Sequence, residues 1–435
     1  MPVRPYQAEM IDGASAAFAS GARAVLIQAP TGSGKSHITA DIIHRATAKG
    51  RRVLCLSHLD ALRADLSGRL SRTGVAHSVL AADAPNDATA PVQVASMQTL
   101  HARPDCRPAA DLLIVDECRR AAAPTVREIL AAYPAAHLLG TDATPERGDG
   151  TPLGDIFDAM VCGPSVRWLT SAGYLVPAAV LSPPVLVEGA LAMDPVDAFV
   201  KHAHDRRAIF FCRDVEEARD VAHRLPVHAQ VITGETRREV REEARRLLAA
   251  GELRAIVNVS VYRDGADLPS ADCIVLAQTL GVTSAYLQAV GRGLRISPET
   301  GKRDCLVLDL TGAAIVHGLP DDDRVWSLTG AAVARVGSDL KIPLVRCGEC
   351  FAVMHAGPVA CPRCGASLKG RKVKRRATRI ERQELARLDE RPQEVRDAIA
   401  IRGIENRLRS SGRFSEAQIP RIAASIFAKK RGRAA

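Results

Sequence analysis

A phosphate-binding loop near the amino terminus constrains this chain more than any other feature of its sequence. The loop, APTGSGKS, occupies residues 29–36, directly after the apolar run 24–27 and before a helical pattern over 37–49. A strand, a glycine-rich turn and a helix N-terminus surround a phosphate with backbone N–H groups and the positive end of the helix dipole. The loop departs from the pattern G-x-x-x-x-G-K-[ST] at Ala29. A nucleoside triphosphate site is therefore predicted in preference to a chance glycine-rich turn.

The residue types in the loop each suit a part of that ligand. Lys35 can reach the β- and γ-phosphates, and the hydroxyl of Ser36 can ligate Mg²⁺. The turn residues, whose backbone is expected to contact the nucleotide, are Thr31, Gly32, Ser33 and Gly34.

Length and composition indicate a globular protein of several domains. The chain has 435 residues, of which 47% are hydrophobic, so two or three domains are expected and extensive disorder is excluded. Aromatic residues make up 3%, too few for many base-stacking platforms. The sequence shows neither a secretory signal nor an apolar run of about 18 residues, the length that spans a membrane. A cytoplasmic protein with no membrane partner is expected.

The net charge of +10 is a property of the carboxyl-terminal tail. Residues 369–433 contain 20 Lys and Arg against 8 Asp and Glu, which leaves the rest of the chain slightly acidic. In a nucleotide-binding protein such a tail favours salt-sensitive contact with nucleic-acid phosphates. A solvated, solubilising tail is the alternative interpretation.

Short apolar runs alternate with helical patterns up to about residue 315, which predicts an α/β fold with parallel sheets. The strand candidates form two series, which predict two similar sheets in tandem: 25–27, 53–56, 92–95, 112–115 and 137–139, then 208–211, 231–232, 255–259, 274–276 and 305–308. The predicted division is a first domain at 1–165, a proline-rich linker at 166–195, a second domain at 196–315, a hinge at 316–342, a cysteine module at 343–368 and a basic helical extension at 369–435.

Two carboxylates end the apolar run 112–115. Asp116 is suited to hold Mg²⁺, and Glu117 can orient and polarise an attacking water. Parallel sheets bind ligands at the carboxyl ends of their strands. An acidic pair is weak evidence alone, but this one ends a buried strand about 80 residues after the phosphate loop. That position favours a hydrolytic site.

A second charged segment, QAVGRGLR at residues 288–295, lies late in the second series. Arg292 and Arg295 are three residues apart and so share one helical face. Their guanidinium groups suit the charge of a γ-phosphate, as an arginine finger requires. A surface arginine pair is the alternative, which the phosphate loop and the acidic pair disfavour.

Together these segments resemble the superfamily 2 helicases, of the DExH-type branch that includes XPB and RadD. The resemblance covers residues 4–309 with the motif order intact. Its motifs fall at residues 4–7 (adenine reading), 29–36 (motif I), 94–99 (strand contact), 116–119 (motif II), 142–145 (motif III), 209–212 (motif IV), 233–236 (backbone contact), 265–269 (motif V) and 288–295 (motif VI). It implies two RecA-like domains with ATP bound between them.

The resemblance also implies residue roles. Gln7 would pair with adenine through its amide, which has one donor and one acceptor end. Asp116 would support Mg²⁺ and Glu117 would act as catalytic base. The residues it assigns to hydrolysis are Lys35, Asp116, Glu117, Gln288, Arg292 and Arg295. Those it assigns to nucleotide binding, besides residues 31–36 of the loop, are Arg4, Gln7, Gly265 and the ribose-contacting Asp267.

Three positions depart from the family pattern. Motif II normally ends in His, whereas this chain has Arg119, which cannot accept a hydrogen bond. Motif III normally begins with Ser or Thr, whereas this chain has the anion Asp142. Arg263 and Asp264 replace the usual Thr-Glu before motif V. None of these removes a hydrolytic residue, so the expected effect is on the coupling of hydrolysis to strand movement.

Four cysteines form two CxxC pairs separated by ten residues: Cys347, Cys350, Cys361 and Cys364. Each pair can place two thiolates on one metal, and four thiolates leave no open position for catalysis. A structural Zn²⁺ in a zinc ribbon is therefore predicted. Two disulfides are the alternative, which a cytoplasmic location disfavours. RadD-like helicases carry a zinc module at this place, which agrees with the resemblance.

The predicted function is that of an ATP-dependent DNA helicase or translocase with nucleic-acid-stimulated hydrolysis, in repair or recombination. Single-stranded or forked DNA is the expected partner, and RNA is possible. The alternatives are an RNA-directed helicase, a duplex translocase that never separates strands, and a DNA-binding or scaffold module with a degenerate motor. The sequence identifies no protein partner.

Overall fold

The computed structural model describes residues 3–58, 60–81, 87–147, 153–183, 191–259, 261, 268–329, 334–335 and 344–368, and beyond these only positions 420 and 425. Residues up to 368 pack as one unit. The predicted basic helical extension at 369–435 therefore lies outside the described residues, apart from those two positions.

Seven parallel strands form the first sheet, in the order β3-β4-β2-β5-β6-β1-β7. The strands are β1 (Ala24–Gln28), β2 (Val53–Ser57), β3 (His77–Leu80), β4 (Val92–Ser96), β5 (Leu112–Asp116), β6 (His137–Asp142) and β7 (Ala159–Cys162). The helices of this half are α1 (Pro5–Ala19), α2 (Lys35–Ala48), α3 (Asp60–Arg72), α4 (Met97–Ala102) and α5 (Pro124–Ala131).

The second sheet has eight strands in the order β10-β11-β9-β12-β13-β8-β17-β16. Six are parallel: β8 (Ala178–Leu181), β9 (Ala208–Phe211), β10 (Ala229–Ile232), β11 (Ala255–Asn258), β12 (Cys273–Leu276) and β13 (Cys305–Asp309). The antiparallel hairpin β16 (Leu344–Arg346) and β17 (Ala352–His355) completes it. The helices of this half are α6 (Val166–Ser171), α7 (Pro195–Ala203), α8 (Val215–Arg224), α9 (Arg238–Ala250), α10 (Thr283–Gly291) and α11 (Ala313–His317). Two short strands, β14 (Arg324–Val325) and β15 (Ala334–Arg335), pair separately.

Alternate side chains of the strands enter different core clusters. Val25 and Ile27 pack on one face of the first sheet and Leu26 on the other, and all three are fully buried. A sheet covered on both faces needs strands that are apolar throughout. This explains why continuous apolar runs predicted the strands, and the two tandem parallel sheets confirm the predicted α/β fold.

The segment predicted as a linker, 166–195, differs from that prediction because it holds ordered elements. It contains α6 and β8, and α7 begins at its last residue. β8 pairs in parallel with β13, with Val180 opposite Val307. Pro177 and Pro183 flank this short apolar run, and prolines are compatible with the ends of a strand. The segment was predicted as a linker because the apolar run between these prolines has only four residues, too few to stand out as a strand.

Candidate active site and zinc centre

The phosphate loop joins β1 to α2 with a backbone suited to close approach of a ligand. Gly32 and Gly34 have φ angles of 89° and 86°, in the left-handed region where a Cβ is strained. A Cβ on Gly34 would also lie 2.4 Å from Nε2 of Gln7. α2 begins at Lys35 directly after this loop, and the first N–H groups of a helix lack partners inside the helix. The N–H of His37 donates to the carbonyl of Gly34, which leaves those of Lys35 and Ser36 as the candidates for phosphate contact. The loop therefore fits the phosphates of a nucleotide.

The side chain of Gln7 ties α1 to this loop. Its Nε2 donates to the carbonyl of Ser33 at 2.8 Å, and its Oε1 accepts from the N–H of Arg4 at 3.0 Å. The hydroxyl of Tyr6 donates to the same carbonyl at 2.7 Å. Because both ends of the amide bond the protein, Gln7 positions the loop in this structure. Its pairing with adenine stays a prediction.

Arg4 lies in an aromatic cluster next to the loop. Its guanidinium is 4.7 Å from the centre of the Tyr174 ring and donates to the hydroxyl of Tyr6 at 3.2 Å. Trp168 stacks on Tyr174 with ring centres 6.0 Å apart. The contact of Arg4 with a nucleotide stays a prediction.

Asp116 ends β5 with one carboxylate oxygen already occupied. Its Oδ1 accepts from the hydroxyl of Thr141 at 2.8 Å and from the N–H of Glu117 at 3.0 Å. Burial, and then the negative charge of Glu117, raise the pKa of Asp116. A divalent cation at Oδ2 would offset both effects. The donor set of Asp116 and the half-buried Ser36 therefore fits Mg²⁺.

Glu117 is a buried carboxylate surrounded by cations. Burial alone would raise the pKa of Glu117, but the charges of Lys35, Arg119 and Arg292 lower it to about 2. Lys35 Nζ lies 3.5 Å from Glu117 Oε1. The carboxylate is therefore ionised at neutral pH, the state from which a general base acts, and it is a weak base while these cations stay beside it.

The second sheet contributes directly to the surroundings of Glu117. Gln288, on α10, donates from Nε2 to Glu117 Oε2 at 2.9 Å. Arg292 follows the end of α10 and is 4% exposed. These residues lie more than 170 positions from Glu117 in the chain, and the structure brings them to the same carboxylate.

The end of α10 also contacts the phosphate loop. A Cβ on Gly291 would lie 2.5 Å from Cβ of Thr31, and a Cβ on Gly32 would lie 3.3 Å from Cγ of Arg295. The predicted shared helical face of Arg292 and Arg295 is wrong, because α10 ends at Gly291, a turn follows, and the backbone of Arg295 forms an antiparallel bridge with Leu175. The predicted residues of motif I and motif VI are therefore adjacent. Gly265 and Asp267, the predicted residues of motif V, lie outside the described residues.

Arg119 and Asp142, which both depart from the family pattern, form an ion pair with 3.0 Å between Nη1 and Oδ1. Arg119 also bonds the carboxylate of Glu117 and donates from Nη2 to Gln288 Oε1 at 3.2 Å. Both departures are visible in the sequence, but their pairing is not. Their opposite charges were the available signal.

A cavity of about 760 Å³ opens at the carboxyl ends of β2 and β4 in the first sheet. Its lining is rich in basic and imidazole side chains, namely His58, His101, Arg119, Arg120 and Arg147. These residues come from four separate segments, so no local sequence pattern predicted the cavity.

The four predicted metal ligands meet in one cluster. The sulfur atoms of Cys347, Cys350, Cys361 and Cys364 all lie within 4.8 Å of one another. Two of the pairs, Cys347–Cys364 and Cys350–Cys361, have sulfurs 3.6 Å apart. A disulfide needs about 2.05 Å, whereas tetrahedral Zn²⁺ with bonds of about 2.3 Å separates its sulfurs by about 3.8 Å. The cluster therefore fits Zn²⁺ better than two disulfides.

Two further observations bear on this centre. The backbone N–H groups of Cys350 and Glu349 lower the pKa of the Cys347 thiol to about 6, which favours the thiolate that a metal requires. His355 lies on β17 and bonds Asp322 Oδ1 through Nε2 at 2.6 Å. It is therefore engaged away from the sulfur cluster.

Comparison with known families agrees with this geometry. Residues 1–147 match the family model described as "Type III restriction enzyme, res subunit", and residues 192–297 match "Helicase conserved C-terminal domain". Together the two matches span more than half of the chain. The chain belongs to the superfamily 2 ATP-dependent helicases. This membership implies that the helicase uses ATP and Mg²⁺ and acts on nucleic acid.

Individual relatives of the helicase are distant. A "51.5 kDa protein" of a Lactococcus phage is 25% identical over 364 residues, covering 78% of this chain and 77% of the phage protein. A Schizosaccharomyces pombe protein named as a mitochondrial ATP-dependent helicase, irc3, is 26% identical over 71% of this chain, which spans 57% of the yeast protein. The narrower XPB/RadD-like branch stays a prediction.

A solved structure supports the architecture. A fragment of an HsdR subunit of a type I restriction enzyme from Vibrio vulnificus YJ016 has a TM-score of 0.58 and 23% identity, over 73% of the helicase and 66% of that chain. This likeness shows the tandem RecA-like fold. In the described part of the helicase, no helix has both the length and the apolar character needed to cross a membrane.

Proposed function

We propose that this helicase couples ATP hydrolysis to movement along DNA, and that the nucleic acid stimulates the hydrolysis. The contact between Gln288 and Glu117 carries the proposal, because the carboxylate that would act on water belongs to the first sheet and its partner belongs to the second. A shift of one sheet against the other would change this contact. Nucleic acid bound to both sheets could therefore control hydrolysis.

The residue roles follow from the same geometry. Lys35 and the loop N–H groups would hold the phosphates, and Ser36 with Asp116 would hold Mg²⁺, which neutralises phosphate charge when bound. Glu117 would orient water and accept its proton. Lys35 now contacts Glu117, and a phosphate would attract that ammonium away and leave the carboxylate more basic. Arg292 and Arg295 would stabilise charge that develops on the γ-phosphate.

One observation favours DNA as the track: the first half of the chain matches a restriction-enzyme family. The cavity at the ends of β2 and β4 would suit the phosphate backbone of DNA and RNA alike. A role in repair or recombination and a cytoplasmic location stay predictions. We further propose that the four-cysteine cluster holds one structural Zn²⁺.

The proposal is tested by ATP hydrolysis measured with single-stranded DNA, duplex DNA, RNA and no polymer, with Lys35→Ala as the control. Strong stimulation by DNA that the variant loses supports the proposal. Preferential stimulation by RNA supports the RNA-directed alternative. A forked duplex then separates unwinding from translocation alone. Absence of hydrolysis with every polymer contradicts an active motor and favours the binding module.

A further inference from the structure

The ion pair between Arg119 and Asp142 is buried at the centre of the proposed active site. Asp142 is fully buried, and Arg119 has a side chain 13% exposed. Arg119 reaches the aspartate twice, through Nη1 to Oδ1 at 3.0 Å and through its backbone N–H to Oδ2 at 2.9 Å. A buried pair of this kind leaves an uncompensated charge when either partner is removed.

Asp142 is itself anchored to the phosphate loop. Its carbonyl accepts from the N–H of Ala29, the first loop residue, at 2.8 Å. Its Oδ1 also accepts from the N–H of Thr144 at 3.0 Å. The main chain of Asp142 therefore contacts motif I while its side chain contacts motif II.

Arg119 connects that anchor to Glu117 and to the second sheet. Its guanidinium bonds Asp142 and Glu117 through Nη1 and Gln288 through Nη2. Gln288 also bonds Glu117, so the three side chains form a closed ring with Asp142 attached to it. The single positive charge of Arg119 is thus divided between two carboxylates, and only one of them would act on water.

We propose that Arg119 and Asp142 form one charge-balanced positioning unit that holds Glu117 in place, limits how strongly Arg119 neutralises it, and links it to Gln288. This inference deepens the proposed function and rests on it. Loss of Asp142 would leave Glu117 as the one carboxylate bound to the guanidinium and make it a poorer base. Loss of Arg119 would leave Asp142 buried without its cation. The two departures from the family pattern are therefore compensatory.

The test is a double-mutant cycle in the full chain with Arg119→His, Asp142→Ser and both together, the residue types that the family pattern carries. We measure kcat and KM for ATP with the stimulating polymer, and the thermal unfolding midpoint. Each single variant should lower kcat by about tenfold or more with KM changed less than about threefold. The double variant should recover kcat to within about threefold of the original chain, and should unfold at a higher temperature than Arg119→His.

A matched surface pair serves as the control. Arg45 and Asp12 form an ion pair of 2.9 Å between side chains 45% and 68% exposed. Arg45→His, Asp12→Ser and their combination should leave kcat unchanged. The shift in unfolding midpoint of the double variant should equal the sum of the two single shifts.

Two results would overturn the inference. One is single variants of Arg119 and Asp142 that keep the original kcat. The other is a double variant whose losses multiply to about a hundredfold, as independent sites do. If the unmodified chain hydrolyses no ATP, the proposed function fails, and the unfolding midpoints alone test whether Arg119 and Asp142 are coupled. A double variant whose midpoint shift equals the sum of the single shifts would then contradict the inference.

Discussion

Glu117 has a left-handed backbone conformation, which residues other than glycine rarely adopt. Its φ angle is 52°, and such strain costs about 1–3 kcal/mol and persists only where neighbouring contacts enforce it. The turn comes directly after β5 and sends two consecutive carboxylates to different partners. Asp116 reaches Thr141, whereas Glu117 reaches Lys35 and Gln288. The strain therefore separates a metal-holding carboxylate from one that can act on water.

Glu117→Gln should abolish hydrolysis while nucleotide binding persists. The amide keeps the size of the side chain but cannot accept a proton, so a loss of about 10²–10⁴-fold is expected. Lys35 loses a competing anion, which favours its contact with phosphate. Single-turnover hydrolysis and titration with a fluorescent ATP analogue measure the two effects. Glu128→Gln, at an exposed ion pair with Arg107, is the control, and near-normal hydrolysis by Glu117→Gln would exclude its role as base.

Asp142 should give the folding stability a distinctive pH dependence. Burial, and then Glu117, raise the pKa of Asp142 from 3.8 to about 6, although Arg119 opposes this. The folded state therefore binds this proton more tightly than the unfolded state does. Proton binding at Asp142 stabilises the fold fully below about pH 4, and this contribution is lost as the pH rises through about 6. The size is about 3 kcal/mol.

Asp142→Asn cannot titrate and provides the comparison. The unfolding free energy of the original chain, relative to this variant, should fall between about pH 4 and 6 and stay level above about pH 7. Denaturant titrations across that range measure the difference. A difference that stays constant with pH would contradict the elevated pKa.

At the scale of elements, the end of α10 is packed against the phosphate loop. Gly291 is the last residue of this helix, and a Cβ there would meet Thr31. This contact packs α10, from the half of the chain with the second sheet, directly against the phosphate loop of the first half. We therefore expect a nucleotide that displaces the loop to displace α10 as well.

Gly291→Ala should lower kcat by about tenfold, even though alanine favours a helix by about 1 kcal/mol. The added methyl must push α10 away from Thr31, and Arg292 moves with it. The double variant, Gly291→Ala with Thr31→Gly, should relieve the contact. Adding Gly291→Ala to Thr31→Gly should therefore lower kcat less than adding it to the original chain. Gly281→Ala, where a Cβ meets nothing within 4 Å, is the control. Unchanged hydrolysis by Gly291→Ala would show that the loop and helix separate freely.

The sequence predicted the elements better than their contacts. Buried parallel strands such as β5 are continuous apolar runs, so their positions follow from composition. β3 and β7 were missed because they lie at the margins of the sheet and include polar or half-buried residues, which interrupt the apolar run. The pairing of Arg119 with Asp142 depends on β5 lying beside β6, with Asp116 opposite Thr141. No local pattern encodes that register.

At the scale of the whole described unit, the cysteine module is part of the second sheet. β17 pairs with β8, with Val353 opposite Val180, and Cys347 and Cys361 belong to the same core cluster as Phe210. A metal at the four cysteines would therefore stabilise the second sheet as well as its own hairpin. Loss of the metal should destabilise the second sheet through these shared contacts.

Removal of the metal should lower the unfolding midpoint of this unit. We expect one Zn²⁺ per chain by elemental analysis. Cys361→Ser should lower the midpoint by several degrees, since about 1 kcal/mol corresponds to about 2–4 °C in a domain of about 150–250 residues and to less in a larger unit, and a structural zinc contributes several kcal/mol. Calorimetry measures the shift. Cys106→Ser, at an exposed cysteine outside the cluster, is the control. Purified protein without zinc, or an unchanged midpoint on its removal, would contradict the zinc prediction.

Without the hairpin, β8 would end the second sheet as an open edge with a row of unpaired N–H and C=O groups. Such edges recruit strands from other molecules. β17 covers this edge, and the outer strand β16 has three residues, which leaves little length for another chain to join. Residues 178–181 leave the ribosome well before residues 344–355. During synthesis β8 therefore has no strand on this side until the cysteine hairpin is made and docks against it.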